Sequence, residues 1–200
     1  MNISFSAPWG RKVILLTILT SSLLLVLPAV QFIILRASHA RAMSIWVLLT
    51  MLVVPPAVLL GCAFFMIRGY TLDAGRLITR RLLWSNTMDL GDLEAVYHDP
   101  VATNSSRKIW GNDGLFAMSG LFQNETLGRY RALVTDPKRA VVLKFPNRTV
   151  VVTPDDPGKF IREIQKKFPK LANTPNPAGA TCLQSARPAG RIAKLLRSAV

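Results

Sequence analysis

Two long stretches without a charged residue constrain this chain more than any other feature. From Val13 to Leu35 it reads VILLTILTSSLLLVLPAVQFIIL, and from Ile45 to Ile67 it reads IWVLLTMLVVPPAVLLGCAFFMI. Each run is 23 residues, and at about 1.5 Å per helical residue either can cross a hydrocarbon core of roughly 30 Å. Cations flank both runs: Arg11 and Lys12 before the first, Arg36 after it, Arg41 before the second and Arg68 after it. Trp9 and Trp46 stand near run ends, where amphipathic rings favour the membrane interface. A soluble core helix rarely stays uncharged for so long. The apolar region of a signal peptide is only about 7–15 residues, so Ser38-His39-Ala40 is not read as a cleavage site. The expectation is a two-helix transmembrane hairpin with spans at 13–35 and 45–67.

Lysine and arginine near the span ends set the expected orientation. Two spans put both termini on one side, which carries Arg11, Lys12, Arg68, Arg76, Arg80 and Arg81, against Arg36 and Arg41 in the connecting loop. That asymmetry places a cytoplasmic N-terminus at 1–12 and the rest of the chain on the cytoplasmic face of the inner membrane, in a multi-pass protein. Pro28, Pro55 and Pro56 lie within the spans and are expected to kink them. Neither span holds an ionisable carboxylate, base or histidine of the kind that marks ion or proton pathways, so the pair reads as an anchor.

Beyond Arg68 the composition changes. All eleven acidic residues fall between Asp73 and Glu163, so 69–170 reads as one water-exposed domain. YTLDAGRLITRRLLW is two strand-like runs about Ala74-Gly75, and Asp89 to His98 is a further strand candidate. Arg129 to Val134 alternates, with Tyr130, Ala132 and Val134 on one face. A turn at Thr135 to Lys138 leads to a strand at Ala140 to Phe145, which pairs through Pro146-Asn147 with Thr149 to Val152. A helix then follows, capped by Thr153 or Asp156, each with proline next to it. Phe160, Ile161, Ile164 and Phe168 share one face of it, and Pro169 ends it. Strands followed by one amphipathic helix suggest a curled sheet or small barrel plugged by that helix. Residues 171–200 are rich in Pro, Ala and Gly without periodicity and are expected to form a basic, disordered tail.

The net charge of +14 divides into +4 up to Arg41, +6 from Arg68 to Lys170 and +4 in the tail. A basic chain already at a membrane meets anionic lipid, so the lipid bilayer is the partner the charge implies, and no nucleic-acid motif is present. His39 and His98 are the only histidines. His98-Asp99 has no nucleophile to serve, and no metal-ligand spacing or phosphate-binding loop occurs. Cys62 and Cys182 are expected to be free thiols. No catalytic residue, cofactor or metal is expected. Two candidate surfaces remain. One is the glycine-rich apolar segment with Gly111, Gly114, Leu115, Phe116, Met118, Gly120, Leu121 and Phe122, either core or a loop that meets a protein partner or a second copy. The other is the cation set Arg76, Arg80, Arg81, Arg107 and Lys108, either lipid head-group contacts or a solvated flank.

The stretches YTLDAGRLITRR, WGNDGLFAMSGLFQNETLGRYRALVTDPKRAVVL and VVVTPDDPGKFI resemble the bacterial pleckstrin-homology (PH) domain family that occurs behind membrane spans. The resemblance runs from Tyr70 to Phe168, about half the chain. It implies an α+β PH-like domain with a strongly bent seven-stranded antiparallel sheet, or partly open barrel, capped by a C-terminal helix, and it implies no catalysis. Relatives of this fold in eukaryotes bind phosphoinositides through a basic loop between the first two strands. Here that turn is Asp73-Ala74-Gly75-Arg76, short and nearly neutral, which does not support such binding. The expected function is a membrane-anchored, non-catalytic interaction module, with an anionic-lipid sensor as the alternative.

Overall fold

The computed structural model describes residues 2–37 and 45–173. The loop carrying His39 and Arg41, and the tail from residue 174 with Cys182, lie outside the described residues. The chain opens with a short strand, β1 (Ile3–Ser6), before two helices, α1 (Arg11–Ala37) and α2 (Ile45–Phe64). The strands β2 (Ile67–Asp73), β3 (Arg76–Arg81), β4 (Ser85–Asp89), β5 (Ala95–His98), β6 (Arg107–Asp113), β7 (Met118–Asn124), β8 (Gly128–Val134), β9 (Val141–Lys144) and β10 (Thr149–Val152) follow, and α3 (Pro157–Lys167) closes the domain.

The strands form two sheets, ordered β1-β2-β3-β4 and β5-β9-β10-β8-β7-β6. This corrects the expected single sheet of seven strands in two ways. The chain leaves the first sheet at the Leu90–Glu94 turn, which separates β4 from β5, so one bent sheet becomes two. The pairing is also not wholly antiparallel, because β10 lies parallel to β8 with Val151 opposite Ala132. The β4 strand, SNTMD, lacks the β-branched apolar alternation that would reveal it and is held by its register on β3.

The β2–β3 hairpin turns through Ala74 and Gly75, at φ +42° and +85°. Two left-handed residues are what a tight I′ turn requires, and glycine takes its place there without strain. The Val150–Val152 run is continuously apolar because the second sheet is covered on both faces. Val150 and Val152 enter a core with Tyr70, Leu77 and Leu143, while Val151 faces the other way, toward Phe122, Tyr130 and Ala132. α3 starts as expected: the Asp156 side chain accepts from the Lys159 N–H at 2.8 Å, with Pro157 in its first turn. Its Phe160 and Ile164 are buried against the first core, with Ile161 and Phe168 packed at the margin. Thr153 has another task. Its hydroxyl accepts from the Thr135 N–H at 2.9 Å. Leu171 is also buried, so the domain's packing runs just past residue 170.

The segment 1–12 is not a plain flank. β1 pairs antiparallel with β2, Phe5 opposite Tyr70, and the Asp155 N–H donates to Ser6 O at 3.0 Å. The strand before the two helices is thus an edge of the sheet that begins after them.

α1 is apolar on all sides, and most of its large side chains lack protein cover, Leu15 and Leu19 being 67 % exposed. Its stretch Arg11–Ile34 has a mean hydropathy of 2.5 and is long and apolar enough to cross a membrane. The second expected span is shorter than 45–67, because the helix stops at Phe64 and Ile67 is buried in the domain core as the first residue of β2. An apolar cleft of about 580 Å³ between α1 and α2 is lined by Pro28, Phe32, Leu52, Pro55 and Pro56.

Candidate functional site

The functional geometry gathers where the two helices join the domain, because each helix foot is fastened by its own set of contacts. At the start of α1, the Gly10 N–H donates to Thr135 O at 2.9 Å. About two turns on, Thr17 is buried against the glycine-rich segment. Its hydroxyl accepts from the Phe116 N–H at 3.0 Å and donates to Gly114 O at 3.4 Å. The Trp9 and Phe116 rings lie 6.0 Å apart. A side chain at Gly114 (φ +102°) would come within 2.8 Å of Leu16, so glycine lets the loop close on α1.

The glycine-rich segment therefore divides. Phe122 is fully buried in the second core and Met118 packs beside it. Gly114, Leu115 and Phe116 form a loop that leans on α1, while Gly111 and Leu121 are exposed on the β6–β7 hairpin and Gly120 is half-buried. Gly111 and Gly120 face each other across that hairpin. Both are glycine of necessity: a Cβ would stand 2.3 Å from Ser119 O at the first and 2.2 Å from Trp110 O at the second.

At the end of α2 the fastening residue is Arg81. Its guanidinium donates to Phe65 O at 2.8 Å and to the Ser119 hydroxyl at 2.9 Å, joining the helix end to both sheets. Phe65 and Trp84 place their rings 5.8 and 5.9 Å from the charge. Arg81 is buried, has no carboxylate partner among the described residues, and its Nε lacks a hydrogen-bond partner. Burial pushes this guanidinium below its ordinary pKa, and the neighbouring charge of Arg131 adds to the effect.

The other expected cations are spread out. Arg80 is exposed next to Arg81, but Arg76 is five strand positions away, roughly 17 Å at 3.4 Å per residue. Arg76 lines a cleft with Glu163, Lys166 and Phe168 at the end of α3. Arg107 and Lys108 stand at the start of β6, on a polar cleft of about 810 Å³ shared with Asn124 and Glu125. The five do not form one cluster.

Two apolar features stand out beyond the expected sites. β6 is an edge strand, and its Trp110 and Ile109 are 80 % and 45 % exposed. The turn Leu82-Leu83-Trp84 joins β3 to β4 with all three side chains exposed, where the sequence pattern continues the strand through Trp84. Three large apolar residues in a turn, where polar residues are the rule, are the signal that would have separated it. Among the described residues the His98 ring meets Lys138 O, at 3.3 Å. No group of three His, Cys, Asp or Glu side chains that could hold a metal ion occurs among the described residues. Cys62 is a free thiol.

The bacterial PH domain family model matches residues 68–168. Searches of curated proteins and of solved structures returned no match. The match spans half of the chain and takes in the two sheets from β2 onward and α3. The chain belongs to the bacterial PH domain family.

Proposed function

We propose that this chain is a membrane-anchored PH-like interaction module with no catalytic role, which binds a partner protein or a second copy of itself. One observation carries the reading: β6 is a free sheet edge whose Trp110 is 80 % exposed beside Ile109. Free edges offer unpaired backbone groups to another strand, and an exposed tryptophan supplies the apolar anchor that interfaces favour. The Gly114–Phe116 loop leans on α1, so the edge rather than the loop is the docking surface.

Both helices cross the membrane in this proposal. Support comes from β1 and β2, which precede and follow the helices yet pair with each other. A chain that leaves and re-enters one sheet needs an even number of crossings. The excess of Lys and Arg around that sheet supports a cytoplasmic domain.

The test is a photo-crosslinking side chain in place of Trp110, in the full chain in its native membrane. A discrete adduct, either with one protein or with a second copy, is expected. Recovery of uncrosslinked chain alone sinks the proposal.

A second reading, an anionic-lipid sensor, is favoured by Arg80, an exposed cation next to the arginine that fastens the end of α2. It centres on Arg80, since Arg81 is buried and Arg76, Arg107 and Lys108 lie elsewhere. Phosphatidylglycerol retained by the detergent-purified full chain should then fall in Arg80→Gln. Equal retention counts against this reading.

A further inference from the structure

The geometry points to the Leu82-Leu83-Trp84 turn as a wedge seated in the interfacial layer of the bilayer, beside the foot of α2. This inference rests on the membrane-crossing reading and gives the domain a second, non-helical point of contact with lipid.

Three observations carry it. First, the turn is apolar and uncovered: Leu82, Leu83 and Trp84 are 39 %, 68 % and 39 % exposed. A hairpin turn in water is normally polar, and contiguous exposed apolar groups mark a contact surface. Second, the turn is continuous with the apolar helix. The Trp84 ring meets the Phe65 ring edge-on at 5.5 Å, immediately after α2 ends. It is also fixed there. The Arg81 N–H donates to Trp84 O at 2.9 Å, closing the turn, and the Arg81 guanidinium donates to Phe65 O. A rigid apolar turn bonded to the end of a membrane helix lies at the depth of that end. Third, the charges beside it suit lipid phosphate: Arg68 and Arg80 are exposed, and cations next to an apolar, tryptophan-bearing element are the pattern of an interfacial segment. A protein partner fits less well, because any partner there must share the space with the lipid around α2.

The test uses the full chain reconstituted in vesicles of phosphatidylethanolamine and phosphatidylglycerol. In a background of Cys62→Ala and Cys182→Ser, single cysteines replace Leu83, Leu52 in α2 or Val101 on the domain, and each carries a nitroxide label. Collision with oxygen, which partitions into lipid, is compared with collision with a water-soluble nickel chelate. Leu83→Cys is expected to show an oxygen-to-nickel ratio several-fold above that of Val101→Cys and closer to that of Leu52→Cys. A lipid signal at position 52 with an aqueous signal at position 83 overturns the wedge and leaves the anchor standing. An aqueous signal at position 52 overturns the anchor, and the wedge with it.

Discussion

The ring of Phe5 meets the ring of Phe160 edge-on, with centroids 5.1 Å apart and planes at 79°. A residue ahead of the first helix thus packs against the last helix of the domain, and Phe5 is only 3 % exposed. Replacing a buried phenylalanine by alanine costs about 3–5 kcal/mol in transfer and cavity terms. Phe5→Ala should therefore lower the unfolding midpoint of the domain in the detergent-solubilised full chain, although Phe5 lies outside residues 68–168. Ser4→Ala, on the exposed side of β1, should stay within about 0.5 kcal/mol of the parent. Equal midpoints for Phe5→Ala and Ser4→Ala would remove β1 from the core.

The cross-strand glycine pair makes a second prediction. Gly111 (φ +122°) and Gly120 (φ +148°) each have backbone where a Cβ would be, whereas Gly128 (φ +66°) has nothing within 4 Å. Gly128→Ala meets only the left-handed penalty of about 1–2 kcal/mol. Gly111→Ala and Gly120→Ala add a backbone collision to a strained conformation that itself costs roughly 1–3 kcal/mol. Chemical denaturation of the three variants should rank Gly128→Ala as the mildest. The reverse order would mean that the hairpin opens without loss.

What the sequence revealed and what it hid have a common physical cause. Local signals were legible: the Ala74-Gly75 turn, the alternation of Tyr130, Ala132 and Val134, and the Asp156 cap each depend on neighbours a few residues apart. Contacts between distant segments were not. Nothing in Ile3–Ser6 announces a strand, because its partner, β2, lies beyond both helices. The fate of the glycine-rich segment turned on Thr17, a hydroxyl that in sequence merely sits inside an apolar run. Arg81 looked like one of a row of flanking cations. Its burial follows from the position of Phe65 and Ser119 around it, which no spacing along the chain encodes.

Thr17 gives a direct test of that contact. Thr17→Val keeps the shape and removes the hydroxyl that serves both Phe116 N–H and Gly114 O. Leaving a partly buried donor unpaired costs about 1–3 kcal/mol. Peptides covering 111–118 should therefore exchange amide hydrogen roughly ten-fold faster or more, since about 1.4 kcal/mol is a factor of ten. Thr50→Val is the control, because among the described residues that hydroxyl bonds back to Trp46 O within α2. Unchanged exchange in Thr17→Val would show that the loop holds its place without α1.

All three tyrosines lie in the sheets, and burial raises the pKa of each. Tyr70 is pushed up to about 12 by desolvation, opposed by its hydrogen bonding with Thr153. For Tyr97 the Asp99 charge adds to burial, and for Tyr130 the Asp113 charge adds while the Ser106 hydrogen bond opposes. The sign of the linkage follows. An unfolded tyrosine releases its proton near pH 10, while the folded Tyr70 keeps it until about 12. Between those values the unfolded chain binds fewer protons than the folded one, so stability is intact below pH 10 and falls as pH rises. The loss from Tyr70 alone approaches roughly 1.4 kcal/mol per pH unit across that window. Absorbance titration of the folded chain should show tyrosinate appearing well above the pH at which the urea-unfolded chain ionises. Tyr70→Phe should be less stable at neutral pH, because it gives up the hydroxyl bond to Leu133 O, but its stability should decline less steeply from pH 10 to 12. Coincident folded and unfolded titrations would show that water reaches these hydroxyls, and that the two sheets do not close over them.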